Sequence, residues 1–316
     1  MKANHSSSRF LKSLAAITIA AATLASSSSA ALVQALPTFW STGINLGAAG
    51  WQYLGSPSEW AIFSMNTVSV TATNGAVTVS GDIGQNAGNL SISGNAKLNT
   101  RARLRSGGAL IRSGLALLDR ANAPTPSGGL YGLSPNNVIE TPSLATDLLM
   151  NQAAPDAFAA STFSSTKPTN TVGAFATGFT LSNTTLNQST NVSLSAPGSK
   201  VVLNLTDFIL TGGATFNIAG DESTSLVINV SGTLSLVGGK VTLGTGVLPG
   251  NVVFNVIGTG TAVTLTSAAI YNGILLAPGR QANLTTGSLL NGTLIASRVN
   301  VSGNSRVLKP VWFSPF

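Results

Sequence analysis

Apolar and polar residues alternate strictly over short runs, and the runs recur. Four of them align near the C-terminal end: Lys240-Val241-Thr242-Leu243-Gly244, Ala262-Val263-Thr264-Leu265-Thr266, Gln281-Ala282-Asn283-Leu284-Thr285 and Arg298-Val299-Asn300-Val301-Ser302. A period of two is the signature of a strand with one buried face. Counted at Thr242, Thr264, Asn283 and Asn300, the runs return about every 20 residues, the signature of coils stacked into a solenoid. Aligned this way, Leu243, Leu265, Leu284 and Val301 form a buried column, and Thr242, Thr264, Asn283 and Asn300 form an outward one. A second outward column would hold Thr266, Thr285 and Ser302. Such a two-column grid is either a binding surface or a soluble wall.

The same alternation marks strands elsewhere. Trp60–Met65, Thr67–Thr73, Ala76–Ser80 and Leu90–Ser93 lie between Gly- and Asn-rich turns. From residue 173 onward strands follow one another, as in Phe179–Leu181, Val192–Leu194, Val201–Leu205, Ala214–Ile218, Leu226–Val230 and Val252–Val256. Between these regions the period changes. Leu104, Ile111, Leu115 and Leu118 fall on one helical face, which predicts a helix over 104–121 ended by Pro124 and Pro126. A second helical stretch runs from Leu144 through Met150 to Ala160. Residues 122–142 and 161–171 read as loops. Lys309–Phe316, with Trp312, Phe313 and Phe316, is expected to cover the strand edges of the last coil.

Composition narrows the chemistry. Lys2, Arg9 and Lys12, the apolar run Leu14–Leu24 and small residues at Ala30 and Ala35 predict a secretory leader over 1–35. One solenoid domain with a helical insertion near 104–160 is expected over 36–316. The only histidine, His5, lies in the leader, and there is no cysteine. No Ser-His-Asp or Cys-His machinery and no His/Cys zinc site can then be assembled in the mature chain. No disulfide can form, so backbone ladders and packing must hold the fold. Charged residues make up 8% of the chain, against about 25% in ordinary domains, so carboxylate-rich catalytic or metal sites are not expected. Of 16 basic residues three are in the leader, leaving 13 against nine acidic ones. That excess of four gives no reason to expect a nucleic-acid partner. The cluster Lys97, Arg101, Arg103, Arg105 and Arg112 has no interleaved aromatic residue for base stacking, and reads as a solvated face. Asp82 and Asp221 sit in Gly-flanked turns. No cofactor or metal is expected, and no segment beyond the leader is long and apolar enough to span a membrane.

Several segments carry a family resemblance. Asn45–Gly50, Trp60-Ala61-Ile62-Phe63 and Gly81-Asp82-Ile83-Gly84 resemble the opening of the bacterial ice-binding-like proteins. Leu226–Leu234, Asn251–Val256, Asn272–Pro278 and Leu290–Ala296 are similar to their later strands. The Leu276-Ala277-Pro278 and Asn291-Gly292 elements also resemble the choice-of-anchor A domains of secreted, surface-associated bacterial proteins. The resemblance covers roughly residues 43–305. It implies an all-β fold, a right-handed discontinuous β-solenoid of triangular section with one α-helix packed alongside. It also implies a secreted, non-catalytic surface or matrix protein whose flat face binds an extended partner such as a cell surface or matrix polysaccharide. The alternative it carries is an ice-binding protein using Thr242, Thr264, Thr266, Asn283, Thr285, Asn300 and Ser302.

Overall fold

A computed structural model describes residues 43–45, 51–53, 60–72, 77–99, 102–104, 109–114, 116–118, 139–140, 144–166, 174–176, 185–188, 192–195 and 200–309. All of them belong to one compact unit, Thr42–Pro315. The expected leader, residues 122–138 of the expected loop over 122–142, Phe179–Leu181 and the segment after Lys309 lie outside the described residues, and Ile139–Glu140 of that expected loop is a strand paired with Ala102 and Arg103.

Short strands wind into a β-solenoid with three parallel stacks. The first stack runs in the order Lys200–Leu205, Ser225–Val230, Val252–Val256, residues 274–276, residues 293–296, Ile62–Ser64, Ile83–Gln85, Ala102–Leu104 and Ile139–Glu140. The second runs through Thr185–Gln188, Asp207–Thr211, Leu234–Val237, Val263–Thr266, residues 281–284, residues 298–302, Val68–Ala72, Asn89–Gly94 and Ala109–Arg112. The third runs through Val192–Ser195, Thr215–Ala219, Lys240–Leu243, residues 270–272, residues 289–291, Arg306–Leu308, Thr78–Ser80, Lys97–Asn99 and Leu117–Leu118. In-register parallel pairing puts equivalent side chains above one another, about 4.8 Å apart.

The order of coils is discontinuous. The last coil in sequence pairs with the first: Leu294–Ala296 on Ile62–Ser64, Val299–Ser302 on Val68–Thr71, and Arg306–Leu308 on Thr78–Ser80. This corrects the expectation that the last coil is an exposed end needing Lys309–Phe316 as a cover. Its strand edges are already satisfied by the N-terminal coils, and Lys309 itself donates its N–H to the Ser80 carbonyl at 3.0 Å.

The return path is the helix α1, Leu144–Ser165. Its 22 residues reach about 33 Å, close to the roughly 38 Å spanned by eight steps of the first stack. It lies along the solenoid axis with a matching pitch. The Ser161 carbonyl accepts from Asn255 Nδ2 at 2.9 Å and the Ser164 carbonyl from Asn229 Nδ2 at 2.8 Å. Three helical residues rise about 4.5 Å, nearly one strand spacing. The two asparagines continue as a ladder, Asn255 Nδ2 to Asn229 Oδ1 and Asn229 Nδ2 to Asn204 Oδ1, both at 2.8 Å. Ala153, Ala157 and Ala160 are buried against Val202, Val227, Val253, Ile274 and Ile295. Small residues on this helical face let its backbone come close to the sheet.

The predicted helix over 104–121 is instead strands, Ala102–Leu104, Ala109–Arg112 and Leu117–Leu118. Leu110 pairs with Leu90 and Leu118 with Leu98, one coil apart, so tertiary pairing overrides the accidental helical spacing. Gly94 and Gly114, with φ of 67° and 68°, make the same left-handed corner in successive coils. The loop reading of 161–171 is also corrected, since α1 continues to Ser165.

Inside, Phe208 meets Phe216 and Phe254 edge-on at 5.5 and 4.8 Å, and Phe254 meets Tyr271 at 5.2 Å. These rings sit among the longest coils. The register partners Val202, Val227 and Val253 are further apart along the chain than Ile274 and Thr293.

At the corner between the third and first stacks, Gly273 and Gly292 are register partners with φ of 136° and 156°. A Cβ on Gly292 would run into the Gly273 carbonyl oxygen. Gly292→Ala is therefore expected to lower stability by about 3 kcal/mol, read as a drop in the denaturant midpoint. An unchanged midpoint would show that the corner relaxes freely.

Candidate functional site: the Ser/Thr/Asn face

The three stacks offer three different outer faces. The first is sealed by α1, and its strands Ser225–Val230 and Val252–Val256 are buried throughout. The second carries a grid. Its first column is Ser235, Thr264, Asn283, Asn300, Ser69 and Ser91, each the register partner of the next. All six are half-buried, as expected of short side chains standing shoulder to shoulder on a flat sheet. Two residues further along each strand lies a second column. Thr266 accepts from the Thr285 hydroxyl at 2.9 Å. Ser302 pairs with Thr71, whose Oγ1 accepts from the Ser93 hydroxyl at 3.0 Å. Between the columns, Leu236, Leu265, Leu284, Val301, Val70 and Ile92 point inward and are buried. Five steps along the first column extend about 24 Å, and the columns stand about 6.7 Å apart.

Neither column contains an ionisable residue from Ser235 to Ser93. The exposed Arg298, two positions before Asn300, stands at the margin of the grid. Isoleucines bound the first column at both ends, Ile209 beside Ser235 and Ile111, 50% exposed, beside Ser91. Left-handed corners follow the second column, at Gly94, Gly238, Ser267, Thr286 and Gly303, and turn the chain sharply away to leave a straight edge.

The structure brings together Thr264, Thr266, Asn283, Thr285, Asn300 and Ser302. It separates Thr242 from them. Lys240–Leu243 belongs to the third stack, where Thr242 pairs with Asn217 and its hydroxyl donates to Asn217 Oδ1 at 3.0 Å. The residue that occupies its expected place is Ser235, and the buried partner in place of Leu243 is Leu236. Ser69, Thr71, Ser91 and Ser93 also belong to the grid, although the sequence alone did not join them to it. The alternation of Val68-Ser69-Val70-Thr71 and Leu90-Ser91-Ile92-Ser93 is the same as in Val263–Thr266.

Arg280 braces this face from behind. It is 3% exposed, and its guanidinium donates to five carbonyls. Nε and Nη2 reach Ile257 O at 3.1 and 2.6 Å, Nη2 reaches Ser231 O at 2.6 Å, and Nη1 reaches Gly232 O. Gly258 O and Thr261 O complete the set at 3.4 Å each. The turns that own these carbonyls lead into Leu234–Val237 and Val263–Thr266, and Arg280 itself leads into residues 281–284. One buried cation thus fixes the entry of three adjacent strands of the grid. Burial pulls its pKa below the usual arginine value.

Asp221 does turn work. Ser223 donates to Asp221 Oδ1 from both N–H, at 2.9 Å, and hydroxyl, at 2.6 Å. These bonds hold the Asp221 carboxyl below its ordinary pKa. Among the described residues no group of three His, Cys, Asp or Glu converges as metal ligands, and no helix is long and apolar enough to cross a membrane.

Arg280→Met should cost about 3 kcal/mol, because it leaves buried carbonyls unpaired. Equilibrium denaturation is the check. A loss below about 0.5 kcal/mol, no more than an ordinary surface substitution costs, would mean that water or the backbone replaces the guanidinium.

Comparison with known proteins adds to this geometry. The family model for ice-binding-like adhesive domains matches residues 53–307. No curated protein matches the chain. Among solved structures, a glycosylated ice-binding protein (LeIBP) from an Arctic yeast is 20% identical, with a TM-score of 0.54 over 84% of this chain and 94% of that one. An ice-binding protein from the Antarctic ascomycete Antarctomyces psychrotrophicus is 18% identical, with a TM-score of 0.50 over 84% of this chain and 98% of that one. At these identities the likeness is one of fold.

Proposed function

The chain belongs to the ice-binding-like adhesive domain family, and from that premise we propose that it is a secreted, non-catalytic protein that adsorbs to ice through the Ser/Thr/Asn face. The observation that carries this reading is the uncharged pair of columns from Ser235 to Ser93, made of Ser, Thr and Asn apart from the exposed Val237 that begins the second column. Ice is a rigid, uncharged, periodic lattice of water. A flat array of hydroxyls, amides and methyls at fixed spacings can hold water in register with such a lattice. A charged side chain would keep its own hydration shell, which is costly to remove, and the two columns have none. The structural neighbours described as ice-binding proteins support the reading.

A second reading is attachment to a cell surface or matrix polysaccharide through the same face. The word adhesive in the family's description favours it. Both readings use one extended surface and no catalytic group.

The test is ice growth in the presence of the purified mature chain. The wild type should shape crystals and open a gap between melting and freezing. Thr264→Tyr should abolish both, while changing stability by no more than about 0.5 kcal/mol. Thr242→Tyr, on the other open face, should leave both intact. Ice that grows unaltered with a folded wild type would overturn the ice reading in favour of the second one. Equal loss in both variants would overturn the choice of face.

A further inference from the structure

The third stack presents an open face whose chemistry is unlike that of the grid. One column of outward positions reads Lys240, Ile270, Leu289, Arg306 and Thr78, each the register partner of the next, and the register continues to Lys97. Lys240 and Arg306 are exposed, and Ile270 and Leu289 between them are half-buried. Beside it runs an amide-rich row. Thr242 donates to Asn217 Oδ1 at 3.0 Å, Asn272 Nδ2 donates to Val241 O at 2.7 Å, and Asn291 Nδ2 donates to Asn272 Oδ1 at 3.1 Å. Among the described residues, no acidic residue occupies an outward position of this stack from Thr215 to Ser80.

We infer that this third face binds an extended anionic polysaccharide lying along the solenoid axis. The inference is independent of what the Ser/Thr/Asn face binds. The column is straight because the pairing is parallel and in register, so it suits a stiff linear ligand rather than a compact one. Lys240 and Arg306 are three strand steps apart. At about 4.8 Å per step, the two exposed cations stand about 14 Å apart. That is too sparse for a nucleic acid, which carries a charge about every 3.4 Å on each strand, and no aromatic side chain stands in the column to stack bases. It suits a polymer with one carboxylate in every few sugar units. Ile270 and Leu289 offer the apolar ledge on which the C–H face of a sugar ring rests. The amide row offers donors and acceptors to ring hydroxyls at a parallel spacing of about 6.7 Å. The molecule would then be two-sided, with an uncharged face for a solid and a cationic face for a matrix polymer.

The experiment is calorimetric titration of the full mature chain with alginate, a linear polyuronate, with neutral dextran and a single-stranded oligodeoxynucleotide as comparators. The expected result is binding to alginate alone. The double variant Lys240→Gln, Arg306→Gln should keep the wild-type melting temperature. It should reduce the slope of log affinity against log salt by about one to two. Thr264→Tyr should bind alginate as the wild type does, which separates this face from the grid. Three results would each overturn the inference: no alginate binding at low salt, equal or tighter binding of dextran or the oligonucleotide, or an unaltered salt slope in the double variant.

Discussion

The backbone ladder between the last coil and the first holds the molecule together as a single surface. Val299, Asn300, Val301 and Ser302 pair with Val68, Ser69, Val70 and Thr71, segments that are far apart in the chain. Because the pairing is parallel and in register, it does more than close the fold. It aligns the buried column Leu284, Val301, Val70, Ile92 with the outward column Asn283, Asn300, Ser69, Ser91. A slip of one residue would turn every one of these side chains to the wrong side. The hydrophobic column therefore enforces the polar one, and core packing and surface chemistry are two aspects of one constraint.

That junction requires the chain to travel back along the solenoid, and α1 makes the trip. A helix on a β-stack is held weakly unless the two repeats match. Here three helical residues climb nearly one strand spacing, so Ser161 and Ser164 meet Asn255 and Asn229 in successive coils. Each such bond contributes about 1 kcal/mol net, and the ladder and the helix carbonyls together satisfy the Nδ2 groups of Asn229 and Asn255 that the helix buries. Sealing this face also narrows function by elimination. Among the described residues nothing covers the second and third stacks, and they differ in charge.

Much of this was legible in the chain. Alternation identified the strands, and Thr264, Asn283 and Asn300 fell into one column as expected. What alternation cannot supply is the face. The second and third stacks obey the same period, so Lys240-Val241-Thr242-Leu243 matched the pattern while belonging to another side. Coil length varies too. The step from Ser235 to Thr264 is much longer than those from Thr264 to Asn283 and from Asn283 to Asn300, and no fixed repeat would have found Ser235. Ser69 and Ser91 were missed for a different reason, since only the discontinuous order of coils makes them neighbours of Asn300. The helix over 104–121 was misread because Leu104, Ile111, Leu115 and Leu118 happen to satisfy a helical spacing, while α1 buries mainly Ala and Ser and shows little apolar stripe. Arg280 could have been noticed as a lone cation after Pro278-Gly279 in an otherwise apolar run.

In the proposed function the N-terminal coils complete the binding surface begun by the C-terminal ones, and the absence of cysteine makes that claim directly testable. Single-cysteine chains, Ser69→Cys and Asn217→Cys, would each carry a bulky maleimide label, and their incorporation into a slowly growing ice crystal would be compared. The label at position 69 is expected to exclude the protein from ice, while the label at position 217 is not. Equal incorporation of the two labelled chains would contradict the claim.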